Sequence, residues 1–237
     1  MSLDRQLLQA AACVQAVRQG RSLSDALAAV APEWRPGVQA LSFHTLRHLG
    51  GAQMAREVLA ARKPTEAIEG LLLVALSLLW PQPAGSEPLY DSHTVVDQAV
   101  HAARRESEGA TRFVNAVLRR FLREREALVP AWQASRPEVA HHHPRWWISQ
   151  LQRDWPQAWA ELLAANQAHP PMDLRVNLRQ VSAAAYLEEL AAAGIAATLR
   201  PLVSRVPPES ASGDDSAWPA TLAPHEAVLR LARPVPV

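Results

Sequence analysis

Thr111-Arg112-Phe113-Val114-Asn115-Ala116-Val117-Leu118-Arg119 is the most informative stretch of this 237-residue chain. At about 100° per residue along a helix, Phe113, Val114, Val117, Leu118 and Phe121 fall on one face. Arg112, Arg119 and Arg123 fall within about 40° of one another on the opposite side. Arg120 lies at the flank, and Arg125 turns toward the apolar side near the helix end. A helix with one apolar face packs into a bundle through that face. Between Arg104 and Arg125, seven Arg stand against three Glu, in a chain whose net charge is only +1. Arg104 and Arg105, closing the preceding helix, belong to this basic set. A line of guanidinium groups is the electrostatic footprint of phosphate binding. A solvated face whose Arg pair loosely with Glu108, Glu124 or Glu126 gives the same pattern.

The segments before this helix also read as helices. Leu3, Leu7, Ala10, Val14 and Val17 make one stripe, and Gly20 sits where a C′ glycine belongs. Ser22 or Ser24 caps a short second helix. Val38, Leu41, Leu46 and Leu49 give a third, expected to stop at Gly50-Gly51, with a weaker fourth over Ala52 to Ala61. Thr65 to Trp80 is apolar nearly all round, which marks the buried centre of a bundle. Pro81-Gln82-Pro83-Ala84-Gly85 reads as a loop, Asp91 to Glu106 as a helix, and Thr111 to Leu128 as the basic helix.

Pro130 to Pro144 reads as a transition, and Trp146 to Asn166 as helical with a break at Asp154-Trp155-Pro156. Then the period changes. Met172 to Asn177 alternates like a strand, Val181 to Ala193 is a helix closed by Gly194, and Ile195 to Leu199 and Val228 to Leu231 read as short strands. Residues 206–224 are rich in Pro, Ser and Asp and read as a flexible loop. The tail Arg233 to Val237 carries two Pro and cannot continue a central strand.

Composition excludes whole classes. With 49% hydrophobic and 20% charged residues the chain is globular, and Cys13 alone makes no disulfide. No basic segment followed by an apolar run opens it, so no signal peptide is expected. Its longest apolar stretch, Ile68 to Trp80, has 13 residues, where a membrane span needs about 20. A cytoplasmic protein with no membrane partner is the expectation. The nine Gly include no Gly-x-Gly and no phosphate-binding P-loop, so a Gly-rich nucleotide loop has no place here. Cys13 lies on the flank of an apolar stripe with no cation one turn away, which reads as a structural thiol. Of 24 basic residues, 23 are Arg; guanidinium forks suit phosphate, and codon usage yields the same bias.

Three further features bear on a site. His141-His142-His143 lacks the i, i+4 spacing of a metal pair, and no metal is expected. Trp155, Trp159, Leu162 and Leu163 have helical spacing and are expected in the core, whereas Trp146 is the aromatic expected at the surface, where bases stack. Arg175 and Asn177 alternate with Leu174 and Val176 and are expected on one strand face, turned to RNA or to a neighbouring domain.

Val95-Val96-Asp97-Gln98-Ala99-Val100 followed by the Thr111 to Arg119 stretch resembles the paired C-terminal helices of the NusB family. That resemblance implies an all-α RNA-binding bundle. His143-Pro144-Arg145-Trp146-Trp147, and then the run Asn166 to Asn177 with its Pro170-Pro171 and Leu174-Arg175-Val176-Asn177, are similar to the Fmu/Sun family of ribosomal RNA small-subunit methyltransferases. The ending, Ala227 to Val237, resembles the stretch just before that family's catalytic domain.

The family's catalytic domain is doubly wound α/β, binds S-adenosylmethionine, and uses two cysteines to methylate C5 of cytosine. This chain has neither the Gly-rich loop nor the cysteine pair, so it is expected to hold no cofactor and to be inactive alone. The expectation is a mainly α chain. A NusB-like bundle spans residues 1–130, a helical connector 131–170, and the start of a small α/β subdomain 171–237. Its expected partners are small-subunit ribosomal RNA and the missing methyltransferase domain of the same polypeptide. The RNA-contact set is Arg104, Arg105, Arg112, Arg119, Arg120, Arg123, Trp146, Arg175 and Asn177. The competing functions are a free-standing antitermination or ribosome-assembly factor and a protein-interaction scaffold.

Overall fold

The computed structural model describes residues 2–60, 62–81, 88–168, 170–201 and 227–232. The loop expected after Pro81, the 206–224 loop and the 233–237 tail lie outside the described residues. Among the described residues the fold is mainly α, with eleven helices and one three-stranded sheet. None of these helices is long and apolar enough to cross a membrane. The chain divides into two units, Met1–Gln167 and Ala168–Val237.

The first unit is built on α5 (Glu66–Leu78). Leu71 through Leu76 are fully buried on every side of this helix. It packs against α1 (Leu3–Arg18), α3 (Arg35–Arg47), α4 (Leu49–Leu59), α6 (Ser92–Glu106) and α7 (Ala110–Ser135). Each buried Leu contributes about 1.5–3 kcal/mol, so the apolar circumference of α5 is what gathers the other helices. α1 ends as its sequence predicts. Gly20 takes φ +91°, its N–H donates to Val17 O, and the Arg21 N–H donates to Ala16 O, satisfying two end carbonyls. Ser22 caps α2 (Leu23–Ala28), its hydroxyl accepting from the Asp25 N–H at 3.1 Å.

Two expected boundaries move. Gly50-Gly51 does not stop a helix; both glycines lie inside α4, and the break falls one residue before it, at His48. Their role is close approach. A Cβ on Gly50 would stand 2.8 Å from the Glu138 carbonyl oxygen, and one on Gly51 would stand 2.7 Å from the Trp80 ring. The basic helix does not stop at Leu128 either; α7 runs through Pro130 to Ser135. Val129 and Trp132 are buried and continue its apolar stripe, while Pro130 and Glu126 are exposed. Pro130 has no N–H to offer the Glu126 carbonyl, so α7 runs on with one helical hydrogen bond missing. Trp132 and Phe121 both stack on Trp80, at 6.4 and 6.0 Å between ring centroids.

α8 (Pro137–Ala140), α9 (Arg145–Asp154) and α10 (Trp159–Gln167) complete this unit. α9 and α10 share a small core of Ile148, Leu151 and Leu163, with Trp147 and Trp159 against it. Trp155 and Leu162, expected in the core, are exposed. Trp155 sits at the end of α9 with non-helical backbone (φ −134°, ψ 62°), so the period of α10 does not carry it inward.

The second unit holds β1 (Asp173–Arg175), α11 (Ala183–Ala192), β2 (Ala197–Pro201) and β3 (Ala227–Leu231). The strand order is β1-β3-β2, and β3 is antiparallel to both neighbours. β1 and β2 are thus parallel, joined through α11 and split by β3, which gives an α+β arrangement. Gly194 at φ +75° ends α11, and the Ile195 N–H returns to Leu190 O at 2.8 Å. Val176, Leu190, Leu229 and Leu231 form the core.

Candidate nucleic-acid interface

On α7 the apolar and basic faces separate as the helical period requires. Val114, Val117, Leu118 and Phe121 are buried, while Arg112, Arg119, Arg120 and Arg123 are exposed. Two neighbouring carboxylates, Glu124 and Glu126, are engaged off the stripe. Glu124 accepts from Arg120 Nε at 3.0 and 3.1 Å, and Glu126 lies 3.7 Å from Arg125. Arg125 is half-buried, and its Nη1 donates to Leu79 O at 3.0 Å, a role in holding α7 to the end of α5. Arg119 Nε donates to Asn115 Oδ1 at 2.9 Å, which orients its guanidinium without neutralising it. Arg112, Arg119 and Arg123 form no ion pair among the described residues.

The other candidates divide. Arg105 Nε donates to the Asp4 carboxylate. Asp4 is buried on α1, so Arg105 ties α6 to the first helix. Burial alone raises the Asp4 pKa; hydrogen bonds from Ser2 and Arg105, and the charge of Arg105, outweigh it and hold the carboxyl below its ordinary value. Arg104 is exposed with no ion pair among the described residues. Trp146 is 70% exposed on the first turn of α9, its ring edge-on to Trp147 at 5.6 Å. Arg175 and Asn177 are exposed in the second unit but do not share a strand face. β1 ends at Arg175, and Asn177 lies in the following turn, its Oδ1 accepting from the Arg179 N–H at 3.2 Å.

Sequence reading missed one polar cluster. His44 and His48 are one helical turn apart, and His142 joins them from the loop after α8. The ring centroids are 4.5 and 4.8 Å apart in succession. The i, i+4 spacing of the first two was the available signal; the arrival of His142 had none. His44 Nε2–H donates to Ser77 O, and His48 Nδ1–H donates to His44 O, each at 3.0 Å. Among the described residues, no three His, Cys, Asp or Glu side chains gather to hold a metal ion. Cys13 is buried, and burial pushes its thiol up against the opposing pull of Arg21 and the Ser42 hydrogen bond.

A family model described as the ferredoxin-like domain of RsmF/B-like methyltransferases matches residues 143–206. A relative from Pseudomonas putida, ribosomal RNA small subunit methyltransferase B, is 38% identical over 204 residues. The match covers 81% of this chain and 44% of that protein. A protein of the same name from Klebsiella pneumoniae is 34% identical over 196 residues, covering 79% of this chain and 44% of its own length. Over about four fifths of its length the chain is similar to these methyltransferase B proteins. It spans less than half the length of these methyltransferase B relatives. The crystal structure of PH0851 shares the fold, with a TM-score of 0.54 at 10% identity, covering 98% of this chain and 49% of that one.

Proposed function

We propose that this chain is an RNA-recognition region of a cytosine-C5 methyltransferase acting on small-subunit ribosomal RNA, with a NusB-like bundle as its RNA-binding part. The observation that carries this reading is the Arg112, Arg119 and Arg123 stripe, which keeps its charge while nearby Arg residues are spent on carboxylates. Guanidinium forks on an exposed helix contact phosphates, and phosphate contacts set register and orientation without reading bases. A ribosomal RNA substrate implies a cytoplasmic protein.

The residues of this chain do not fit S-adenosylmethionine. None of its nine Gly stands in a Gly-x-Gly loop, and its one thiol, Cys13, is buried with a raised pKa. The contribution derived for these residues is therefore positional, and no chemical step is assigned to them.

The test is fluorescence anisotropy of a labelled structured fragment of small-subunit ribosomal RNA across a salt series. Wild-type affinity is expected to fall steeply with salt. The Arg112→Ala/Arg119→Ala/Arg123→Ala variant is expected to bind more weakly, with the salt slope lower by roughly two to three. Unchanged affinity and slope would remove the stripe from the RNA face. Salt-insensitive binding to a protein, without RNA binding, would favour the scaffold instead.

A further inference from the structure

We propose that the groove between α4 and the α8–α9 turn is a second RNA contact, one that takes an unpaired nucleotide of a single-stranded segment. This site presupposes the RNA-recognition reading above. The groove has a volume of about 520 Å³, with Leu49, Met54 and Val139 among its walls and Arg136, His143 and Arg145 on its lining. Cavities of roughly 300–1,000 Å³ hold small ligands, and an unstacked base with its ribose falls in that class.

The charges select the ligand. Arg136 and Arg145 are exposed, and neither donates a side-chain hydrogen bond among the described residues. The Glu138 carboxylate is 3.9 Å from Arg136, too long for a hydrogen bond. Arg136 is ion-paired to Glu138 without a hydrogen bond and keeps its N–H donors for phosphate oxygens, and the Arg145 fork has no ion pair among the described residues. Glu57 and Glu138 line the same groove. A mixed lining suits a nucleotide better than a bare anion. Amino groups of a base donate to carboxylates, while its phosphates meet the Arg.

Trp146 follows Arg145 directly, at the fixed spacing of about 3.8 Å between consecutive Cα atoms. Its ring is 70% exposed and, although not part of the groove's lining, is available to stack on a neighbouring base. The loop that walls the groove is held in one shape. His142 has φ 54°, the one positive φ at a non-glycine among the described residues. Its ring is packed edge-on against Trp80 at 5.9 Å and His48 at 4.8 Å. Backbone strain that packing over-determines is the usual mark of a pre-shaped site.

The test uses the full 237-residue chain and two labelled RNAs, a single strand of about ten nucleotides and a fully paired duplex of equal length. Trp146→Ala, and separately Arg136→Ala/Arg145→Ala, are expected to weaken single-strand binding about tenfold and leave duplex binding unchanged. All three side chains are exposed, so the variants keep the wild-type circular dichroism. Wild-type single-strand affinity in both variants, with the α7 triple variant still impaired, overturns this site and leaves the broader reading standing. Equal losses on single strand and duplex also overturn it, since that is phosphate contact without a nucleotide site. Failure of the wild-type chain to bind either RNA removes both readings.

Discussion

Glu69 is a carboxylate in the first turn of α5, the most apolar helix among the described residues, its side chain only 3% exposed. Arg56 lies 2.7 Å from it, Arg18 3.4 Å and Lys63 4.0 Å. Burial pushes its pKa up, but the Arg56 hydrogen bond and the charges of Arg56, Arg18 and Lys63 prevail and hold it below the ordinary value. Glu69→Ala removes the carboxylate shared by Arg56 and Arg18, leaving half-buried Arg56 without its ion pair, and is expected to cost about 3 kcal/mol, read from the urea midpoint. The contribution of this depressed carboxylate is present above about pH 4.3 and lost as pH falls through its folded pKa. The histidine trio acts in a higher window. Burial first, then the charge of His48, lowers His44 and His142 to about 4. Below about pH 6.5 the unfolded chain takes protons that the fold refuses, so stability falls as pH drops toward 4. Urea midpoints are expected to decline already between pH 7 and pH 5, and the His44→Gln/His142→Gln variant should flatten that decline.

At the scale of elements, small residues decide how close helices come. In an open helix Gly→Ala gains about 1 kcal/mol from propensity alone. Gly51→Ala in α4 is expected to do the opposite, because its Cβ would stand 2.7 Å from the Trp80 ring. Overpacking of this kind costs about 1–3 kcal/mol, which calorimetry reads as a lower Tm. Pro130 is the reverse case. It stands exposed inside α7, where a proline forfeits one helical hydrogen bond. Pro130→Ala is expected to raise the Tm, by an amount equivalent to about 1 kcal/mol or more. The helix runs past this proline because Val129 and Trp132 keep the apolar stripe in register with the core.

Across the whole molecule, each hydrophobic cluster is drawn from one unit. Two lie within Met1–Gln167, and the third lies within Ala168–Val237. A fragment of residues 1–167 is therefore expected to fold alone and to melt at the temperature of the corresponding transition in the full chain, as measured by circular dichroism at 222 nm. Among the described residues the second unit's core has four buried side chains, a small store of apolar burial, so that fragment alone is expected to be marginal.

Much of this architecture was legible in the sequence. The apolar circumference of α5, the stripe of α1, the end glycines Gly20 and Gly194 and the β1-α11-β2 succession all act through neighbours within a few positions. Those periods and caps exist in the chain before it folds. They determined a mainly α protein with a basic helix and a small α+β segment. Tertiary structure alone decided which charges remain available. Arg105 finds Asp4 from 101 residues away, and Glu69 of α5 finds Arg18 of α1 at a separation of 51. His142 reaches His44 and His48 across the bundle, and Trp155 stays outside the core that its spacing suggested. The partner of a charge, or the burial of a ring, is set by whichever element packs against it, and no local period encodes that.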